Sequence, residues 1–189
     1  MKRALFLDRD GVLNELVFYE SSNEWESPRN VRDLMLIAGT LEPLQHFADA
    51  GWLLFIITNQ PSFAKGKTTR EELVDVQEAV ERALPVVTKS YVCFHRAEDR
   101  CECRKPGTKS LRDAAAEYDV DLGASWMVGD QDSDLNAGRS AGCKVALLEH
   151  PGSAHKRGTV EPDLRVNNLT ELANVLLDST ANRQPPTAN

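Results

Sequence analysis

Two aspartates near the amino terminus, Asp8 and Asp10, have the type and spacing expected of a site for a divalent cation. They follow a short apolar run at positions i and i+2, so in extended geometry their carboxylates leave on one side while Arg9 points to the other. Crowded carboxylates are unfavourable without a counterion, which favours a hard cation such as Mg²⁺. The alternative interpretation is a turn in which an aspartate caps the backbone. Both interpretations stay open on this pattern alone.

Three further segments carry polar groups at expected ends of strands or starts of helices. Thr58, Asn59 and Gln60 follow the apolar run 53–57, and their hydroxyl and amide groups can bind phosphate oxygens. Arg104 and Lys105 supply two cations before an expected helix, and Asp130 opens an acidic turn that begins another. Each segment also has an ordinary interpretation, as a helix cap or as a solvated basic pair. Their common position at strand ends is what favours a shared site.

Three cysteines and a histidine lie close together in a polar stretch. Cys93, His95, Cys101 and Cys103 form two close pairs that have the number and softness of ligands in a closed tetrahedral Zn²⁺ site. Because protein side chains fill all four positions, we expect the zinc to be structural. Lys105 follows two residues after Cys103, so an ordered loop would also fix this cation.

The elements that must position these residues alternate between strands and helices. Apolar runs predict strands, and the helical spacing of apolar residues predicts helices between them. We expect an α/β fold of three layers, Rossmann-like, with a central parallel sheet. The expected strands are 4–7, 53–57, 86–93, 126–128 and 144–148, and the expected helices are 40–50, 69–84, 111–118 and 135–141.

The chain has 189 residues, and its composition is that of a protein with one globular domain. We expect the domain to span residues 1–178 and residues 179–189 to be a disordered tail, because the tail is polar and contains proline. The formal charge of −7 disfavours nucleic-acid and membrane partners. The sequence has no apolar run of membrane-spanning length, so we expect a cytoplasmic protein, and the absence of an apolar heptad stripe favours a monomer.

Taken in order, these motifs resemble the haloacid dehalogenase (HAD) superfamily of phosphatases over about residues 3–150. The resemblance implies that Asp8 is a nucleophile and also a Mg²⁺ ligand. It implies that Asp10 is an acid and base that contacts Mg²⁺ through its main-chain carbonyl. It further implies that Thr58 and Lys105 bind the phosphoryl group of a small phosphorylated metabolite, and that Asp130 is a Mg²⁺ ligand.

The Cys-x-His and Cys-x-Cys pairs before Arg104-Lys105-Pro106 narrow the resemblance. They are similar to a branch that contains D-glycero-D-manno-heptose 1,7-bisphosphate 7-phosphatases and histidinol-phosphate phosphatases. In that branch the loop 14–29 is expected to shape the pocket without a large cap domain, and Arg104 to contact substrate. Arg9 and Asn59 complete the predicted substrate-binding residues.

The leading hypothesis is removal of the 7-phosphate of the heptose bisphosphate through an aspartyl phosphate, a step of nucleotide-activated heptose biosynthesis. The first alternative is a histidinol-phosphate phosphatase of histidine biosynthesis. A polynucleotide 3′-phosphatase is disfavoured by the acidic charge. A non-catalytic zinc-stabilised module would leave the aspartates and Lys105 without a role.

Overall fold

The computed structural model describes residues 1–181 and has a six-stranded sheet at its centre. The strand order is β5-β4-β1-β6-β7-β8, and every pairing within this sheet is parallel. A separate antiparallel hairpin is formed by β2 and β3. In chain order the elements are β1 (Ala4–Leu7), β2 (Val17–Tyr19), β3 (Glu24–Glu26), α1 (Leu41–Asp49), β4 (Leu53–Asn59), α2 (Arg70–Ala83), β5 (Lys89–Cys93), α3 (Lys109–Tyr118), β6 (Trp126–Gly129), α4 (Asp132–Ala141), β7 (Lys144–Leu148), β8 (Leu164–Val166) and α5 (Leu169–Ala181).

Strand β1 shows why the sheet is sandwiched between helices. All four of its residues are buried, because successive side chains enter opposite cores. Leu5 and Leu7 pack in one core with residues of α1 and α5, whereas Ala4 and Phe6 pack in the other with residues of α3 and α4. The three-layer α/β fold expected from the sequence is therefore confirmed.

Helix α4 begins at Asp132, three residues before the expected start. Gln131 is the N-cap, and its backbone N–H donates to the carboxylate of Asp134 (3.2 Å). This capping arrangement places Asp134 in the first turn of the helix, facing the end of β6. At the start of α2, Thr69 and Glu72 form a reciprocal capping box.

Several elements differ from expectation. Strand β4 extends to Asn59, so Thr58 and Asn59 are its last residues and point to opposite sides. Helix α5 extends to Ala181, beyond the expected start of the tail at Ser179, and the remainder of that predicted tail lies outside the described residues. The hairpin β2–β3 lies within the stretch expected to be a loop. None of the helices described is both long and apolar enough to cross a bilayer.

Candidate active site

The predicted polar residues gather where the strand order changes direction. Strand β1 lies between β4 and β6, and its carboxyl end leads directly into Asp8. Asp130 follows β6, and Asn59 ends β4. A crevice opens at such a position in parallel sheets because successive connections leave in opposite directions. Asp8, Asn59 and Asp130, which come from separate segments, therefore lie at the same edge of the sheet.

An ammonium group links two of the carboxylates in this crevice. Lys105 Nζ lies 2.6 Å from Asp8 Oδ1 and 2.8 Å from Asp134 Oδ1, and all three side chains are almost completely buried. The backbone N–H of Arg9 also donates to Asp8 Oδ1 (2.7 Å). These contacts fix the orientation of the Asp8 carboxylate.

Three carboxylates, those of Asp8, Asp130 and Asp134, have oxygens within 4.8 Å of one another. Lys105 balances only part of this negative charge, so the cluster favours a divalent cation. Asp130 Oδ2 is buried and has no hydrogen-bond partner among the described residues, which leaves an oxygen available to a ligand. An all-oxygen donor set is the one that Mg²⁺ prefers, so these residues fit the predicted ion.

Two glycines make room for this cluster. Gly11 has a φ of +89°, and a Cβ built there would lie 2.4 Å from Asp130 Oδ2. A Cβ on Gly129 would lie 2.1 Å from the Cβ of Asp134. A side chain at either position would displace a carboxylate, so the close approach explains both glycines.

Burial and mutual repulsion govern the ionisation of the cluster. Burial raises the pKa of Asp8 to about 7, with Lys105 opposing the shift and the neighbouring carboxylates adding to it. Burial and the charge of Asp8 raise the pKa of Asp130 to about 6, and burial also raises that of Asp134. Burial disfavours the charge of Lys105, but Asp134 and Asp8 outweigh that effect and raise its pKa. A bound cation would favour the ionised carboxylates.

Asp10 lies in a different electrostatic environment. Its carboxylate accepts hydrogen bonds from the side chains of Arg9 (3.0 Å), Asn14 (3.0 Å), Ser27 (2.9 Å) and Gln60 (2.6 Å). Burial alone would raise the pKa of Asp10, but Arg9 and these hydrogen bonds outweigh it and hold the pKa below its usual value. Without substrate, Asp10 is therefore a carboxylate. Its predicted role as an acid requires the protonated form.

The structure does not place the guanidinium of Arg9 in the crevice. Arg9 is 0% exposed, and its side chain donates to Asp10 and, through Nη1, to Gln77 Oε1 (3.2 Å). An arginine whose donors are already buried against protein acceptors cannot also contact the substrate. This geometry corrects the predicted substrate role of Arg9, which instead orients Asp10.

Thr58 and Asn59 occupy different positions relative to the crevice. Thr58 is 1% exposed, and its hydroxyl accepts a hydrogen bond from Gln60 Nε2 (2.7 Å). Asn59 lines the crevice, and its amide makes two bonds to the backbone of Lys105: Lys105 N–H donates to Oδ1 (3.0 Å) and Nδ2 donates to Lys105 O (3.2 Å). Asn59 thus holds Lys105 in place.

The predicted cysteine and histidine cluster is assembled next to these residues. The distances among the sulfur atoms of Cys93, Cys101 and Cys103 are 3.3–3.7 Å, and His95 Nδ1 lies 3.4–3.6 Å from two of them. Zn–S bonds of about 2.3 Å in a tetrahedron would separate the sulfurs by roughly 3.8 Å, so the four side chains have the spacing of a metal site. Arg104 Nη1 donates to His95 O (3.2 Å), which ties the predicted substrate contact to this loop.

Sequence reasoning missed some residues of the site. Asp134 could have been identified, because it lies four residues after Asp130 in the acidic turn. An acidic residue at this position is, however, equally typical of a helix cap. The amide of Gln60 was expected to be able to bind phosphate oxygens, but its Nε2 donates to Asp10 Oδ2 (2.6 Å) and to Thr58 Oγ1 (2.7 Å) instead. Ser27 carried no signal, because only the folded loop brings it to Asp10.

Comparisons with known proteins give a consistent set of relatives. The family model described as HAD-hydrolase-like matches residues 102–172. The chain is 32% identical over 183 residues to the D-glycero-β-D-manno-heptose-1,7-bisphosphate 7-phosphatase of Haemophilus ducreyi, covering 90% of this chain and 96% of that protein. It is 30% identical to the enzyme of the same name from Pseudomonas aeruginosa, covering 92% of this chain and 97% of the relative.

A solved structure extends the similarity to three dimensions. The crystal structure of D,D-heptose 1,7-bisphosphate phosphatase from B. bronchiseptica, complexed with magnesium and phosphate, superposes with a TM-score of 0.80 at 31% identity. The match covers 95% of this chain and 99% of that one. The carboxylate cluster, Lys105 and the strand order are consistent with these similarities. The chain therefore belongs to the D-glycero-β-D-manno-heptose-1,7-bisphosphate 7-phosphatase family of HAD-like hydrolases.

Proposed function

We propose that this protein is a Mg²⁺-dependent phosphatase that removes the 7-phosphate of D-glycero-D-manno-heptose 1,7-bisphosphate through an aspartyl phosphate. The observation that carries the proposal is the ion pair of Asp8 and Lys105 beside the carboxylates of Asp130 and Asp134. The full-length relatives named for this activity support the choice of substrate.

Asp8 is the proposed nucleophile. Lys105 and the backbone N–H of Arg9 both contact its Oδ1, so these donors orient the carboxylate toward the crevice. A phosphate monoester is an anion, and the ammonium of Lys105 offsets its repulsion from Asp8. The hydroxyl of Thr58 accepts from Gln60 and so keeps its proton to donate to a phosphate oxygen.

Asp10 is the proposed acid and base. As the resting carboxylate it accepts a proton from the water that attacks the aspartyl phosphate. In the preceding step the departing sugar alkoxide needs a proton. The negative charge of an arriving substrate disfavours the Asp10 carboxylate and favours its protonation, so the same group can donate.

Asp8 and Asp130 are the proposed side-chain ligands of Mg²⁺, with the main-chain carbonyl of Asp10 as a further ligand. The unpartnered Asp130 Oδ2 supports this assignment. Asp134 would orient Lys105 and contribute charge to the same cluster. When bound, Mg²⁺ supplies positive charge that stabilises the phosphoryl group during transfer.

Zn²⁺ is the proposed occupant of the cluster formed by Cys93, His95, Cys101 and Cys103. Its role would be structural, because Arg104 and Lys105 follow the last ligand directly and must be held at the crevice. Gln60 N–H also donates to Cys93 O (2.6 Å), so the metal loop is joined to the end of β4.

Two further lysines favour a substrate with a second phosphate. Lys65 and Lys156 line the crevice from separate segments, and neither belongs to an ion pair among the described residues. Histidinol phosphate, the runner-up substrate, carries one phosphate and would leave this additional positive charge unused. The overall charge of −7 continues to disfavour a polynucleotide.

The decisive experiment measures phosphate release from heptose 1,7-bisphosphate and from histidinol phosphate, with and without Mg²⁺. We expect turnover of the heptose substrate that EDTA abolishes and Mg²⁺ restores. Asp8→Asn should be folded and inactive, and acid quenching of the wild type should trap phosphate on the protein. Asp113→Asn, which alters a surface carboxylate paired with Lys109, is the matched control. Full activity of Asp8→Asn, or a preference for histidinol phosphate, would refute the proposal.

A further inference from the structure

An aromatic side chain stands at the polar crevice without a role in phosphoryl transfer. Trp25 lies on β3, directly opposite Phe18 on β2, and lines the same crevice as Asp8 and Lys105. Trp25 is 43% exposed and Phe18 is 44% exposed. Tryptophan usually buries most of its large apolar surface, so an indole with this much open surface beside a substrate crevice requires an explanation.

The indole is held in place. The rings of Trp25 and Phe18 lie 5.5 Å apart at 59°, which is a tilted aromatic contact. The indole also lies against Gly152 in the segment after β7, where an added Cβ would be 3.2 Å from Trp25 Cδ2 and 3.2 Å from Leu16 Cδ1. A side chain at Gly152 would press on both the indole and Leu16, so the glycine permits this close approach.

The strand that carries the indole is also anchored. Glu26, the residue after Trp25, forms ion pairs with Lys67 and with Arg29 (3.1 Å). Its side chain also accepts a hydrogen bond from Ser22 (2.6 Å). An aromatic surface that is already fixed loses little conformational entropy when a ligand packs against it.

The groups around the indole are polar. Glu24, Gln131 and Lys156 line the crevice together with Trp25. A flat apolar surface surrounded by hydrogen-bonding groups matches a sugar, because a pyranose ring has an apolar C–H face and hydroxyl groups at its edge. A small phosphate ester without a ring has no surface to place there.

We propose that Trp25 is a specificity-determining residue whose exposed indole packs against the sugar ring of the phosphorylated substrate. This inference rests on the proposed function and adds to it the feature that recognises the carbohydrate. Asp8 and Lys105 act on the phosphate, while Trp25 selects the group to which the phosphate is attached.

The test compares heptose 1,7-bisphosphate with acetyl phosphate, a small substrate that has no ring. We expect Trp25→Ala to lower the ratio of kcat/KM for the heptose compound to kcat/KM for acetyl phosphate about tenfold, mainly through KM for the heptose compound. Trp25→Phe should retain most of the wild-type ratio. Trp25→Leu should not, because leucine is apolar but not flat. Met35→Ala is the matched control, because Met35 is 66% exposed and does not line the crevice.

A binding measurement without turnover supplies a second readout. Trp52 is buried and Trp126 is half-buried, so Trp25 is the most accessible of the three tryptophans to acrylamide. In the Asp8→Asn variant, heptose 1,7-bisphosphate should reduce acrylamide quenching of tryptophan fluorescence, and the additional Trp25→Phe substitution should remove that protection.

The outcomes separate the two proposals. An unchanged ratio in Trp25→Ala, with efficient turnover of the heptose compound by the wild type, would overturn the role of Trp25 alone. Equal retention of the wild-type ratio by Trp25→Leu and Trp25→Phe would also overturn it, because apolar packing within the hairpin would then explain the effect of Trp25→Ala. Failure of the wild type to hydrolyse the heptose compound would overturn the proposed function together with this inference.

Discussion

Lys105 Nζ lies 2.8 Å from Asp134 Oδ1, so the cation that contacts the proposed nucleophile is also held by a carboxylate from the first turn of α4. Asp134 therefore has two effects: it orients Lys105 and it adds negative charge to the proposed cation site. Its removal should weaken the site without removing the nucleophile.

We expect Asp134→Asn to raise the Mg²⁺ concentration required for half-maximal activity by roughly 10-fold or more, because substitutions around metal ligands have effects of this size. The measurement is phosphate release as a function of free Mg²⁺. Asp132→Asn is the matched control from the same helical turn, because the carboxylate of Asp132 binds the backbone N–H of Thr159 (2.8 Å) instead. Equal Mg²⁺ dependence of the two variants would contradict this role of Asp134.

The second prediction concerns the ionisation of Asp10. Ser27 donates a hydrogen bond to Asp10 Oδ2 (2.9 Å) and so helps to lower the pKa of this carboxyl. Ser27→Ala removes that donor, so the pKa of Asp10 rises. Because the Asp10 carboxylate acts as the base in hydrolysis of the aspartyl phosphate, the acidic limb of the pH profile for that step should then move to higher pH. The measurement is single-turnover release of phosphate from the intermediate at saturating Mg²⁺.

Ser22→Ala is the control for this shift, since the Ser22 hydroxyl contacts Glu26 and the backbone of Tyr19 rather than Asp10. An acidic limb that moves to lower pH in Ser27→Ala would have the wrong sign. It would show that Asp10 is not the group that the profile reports.

The third prediction concerns the cysteine and histidine cluster. The purified protein should contain about one zinc per chain, and Cys101→Ser should reduce this content and lower the melting temperature by on the order of 5 °C. KM should rise as well, because Arg104 and Lys105 lose their support. Cys143→Ala is the control, because Cys143 is buried outside the cluster and its removal should leave the zinc content unchanged. A stable, active, zinc-free wild type would contradict a structural metal.

The fourth prediction concerns the ion pairs of the hairpin. Burial would raise the pKa of Glu26, but hydrogen bonds from Lys67, Ser22 and Arg29 outweigh it and lower the pKa from 4.5 to about 2. A lowered folded-state pKa stabilises the fold above pH 4.5, and this stabilisation is lost as the pH falls toward about 2.

Glu26→Gln should therefore lower the free energy of unfolding by about 1 kcal/mol at pH 7, and the difference from the wild type should shrink below pH 4.5. Urea denaturation at several pH values measures both quantities. Glu78→Gln, which alters an exposed pair with Arg82, should have almost no effect at any pH. A penalty for Glu26→Gln that grows as the solution is acidified would contradict the assignment.

The sequence was most informative where chemistry and strand ends coincide. Asp8, Lys105 and Asp130 could be placed together in advance, because parallel strands bring their carboxyl ends to one edge. The cysteine and histidine cluster could also be predicted, because its four residues are close in sequence.

The residues that escaped prediction depend on tertiary contacts. The hairpin that carries Trp25 has strands of only three residues, and its turn contains Asn23 in the left-handed region rather than a glycine. Such short pairing leaves no reliable periodic pattern. Arg9 shows the opposite limit: strand geometry predicted that its side chain points away from both carboxylates, but its guanidinium donates to Asp10 Oδ1 (3.0 Å). Its other partner, Gln77, lies 68 residues away in the sequence.

The close approach of Gly11 to Asp130 has a consequence for how this enzyme tolerates mutation. A methyl group at position 11 would occupy the place of the Asp130 oxygen, while the apolar cores on either side of the sheet would stay filled. In a saturation mutagenesis survey, Gly11 should therefore score with the reactive aspartates: chains altered there should accumulate normally in cells yet fail to sustain growth that depends on the enzyme.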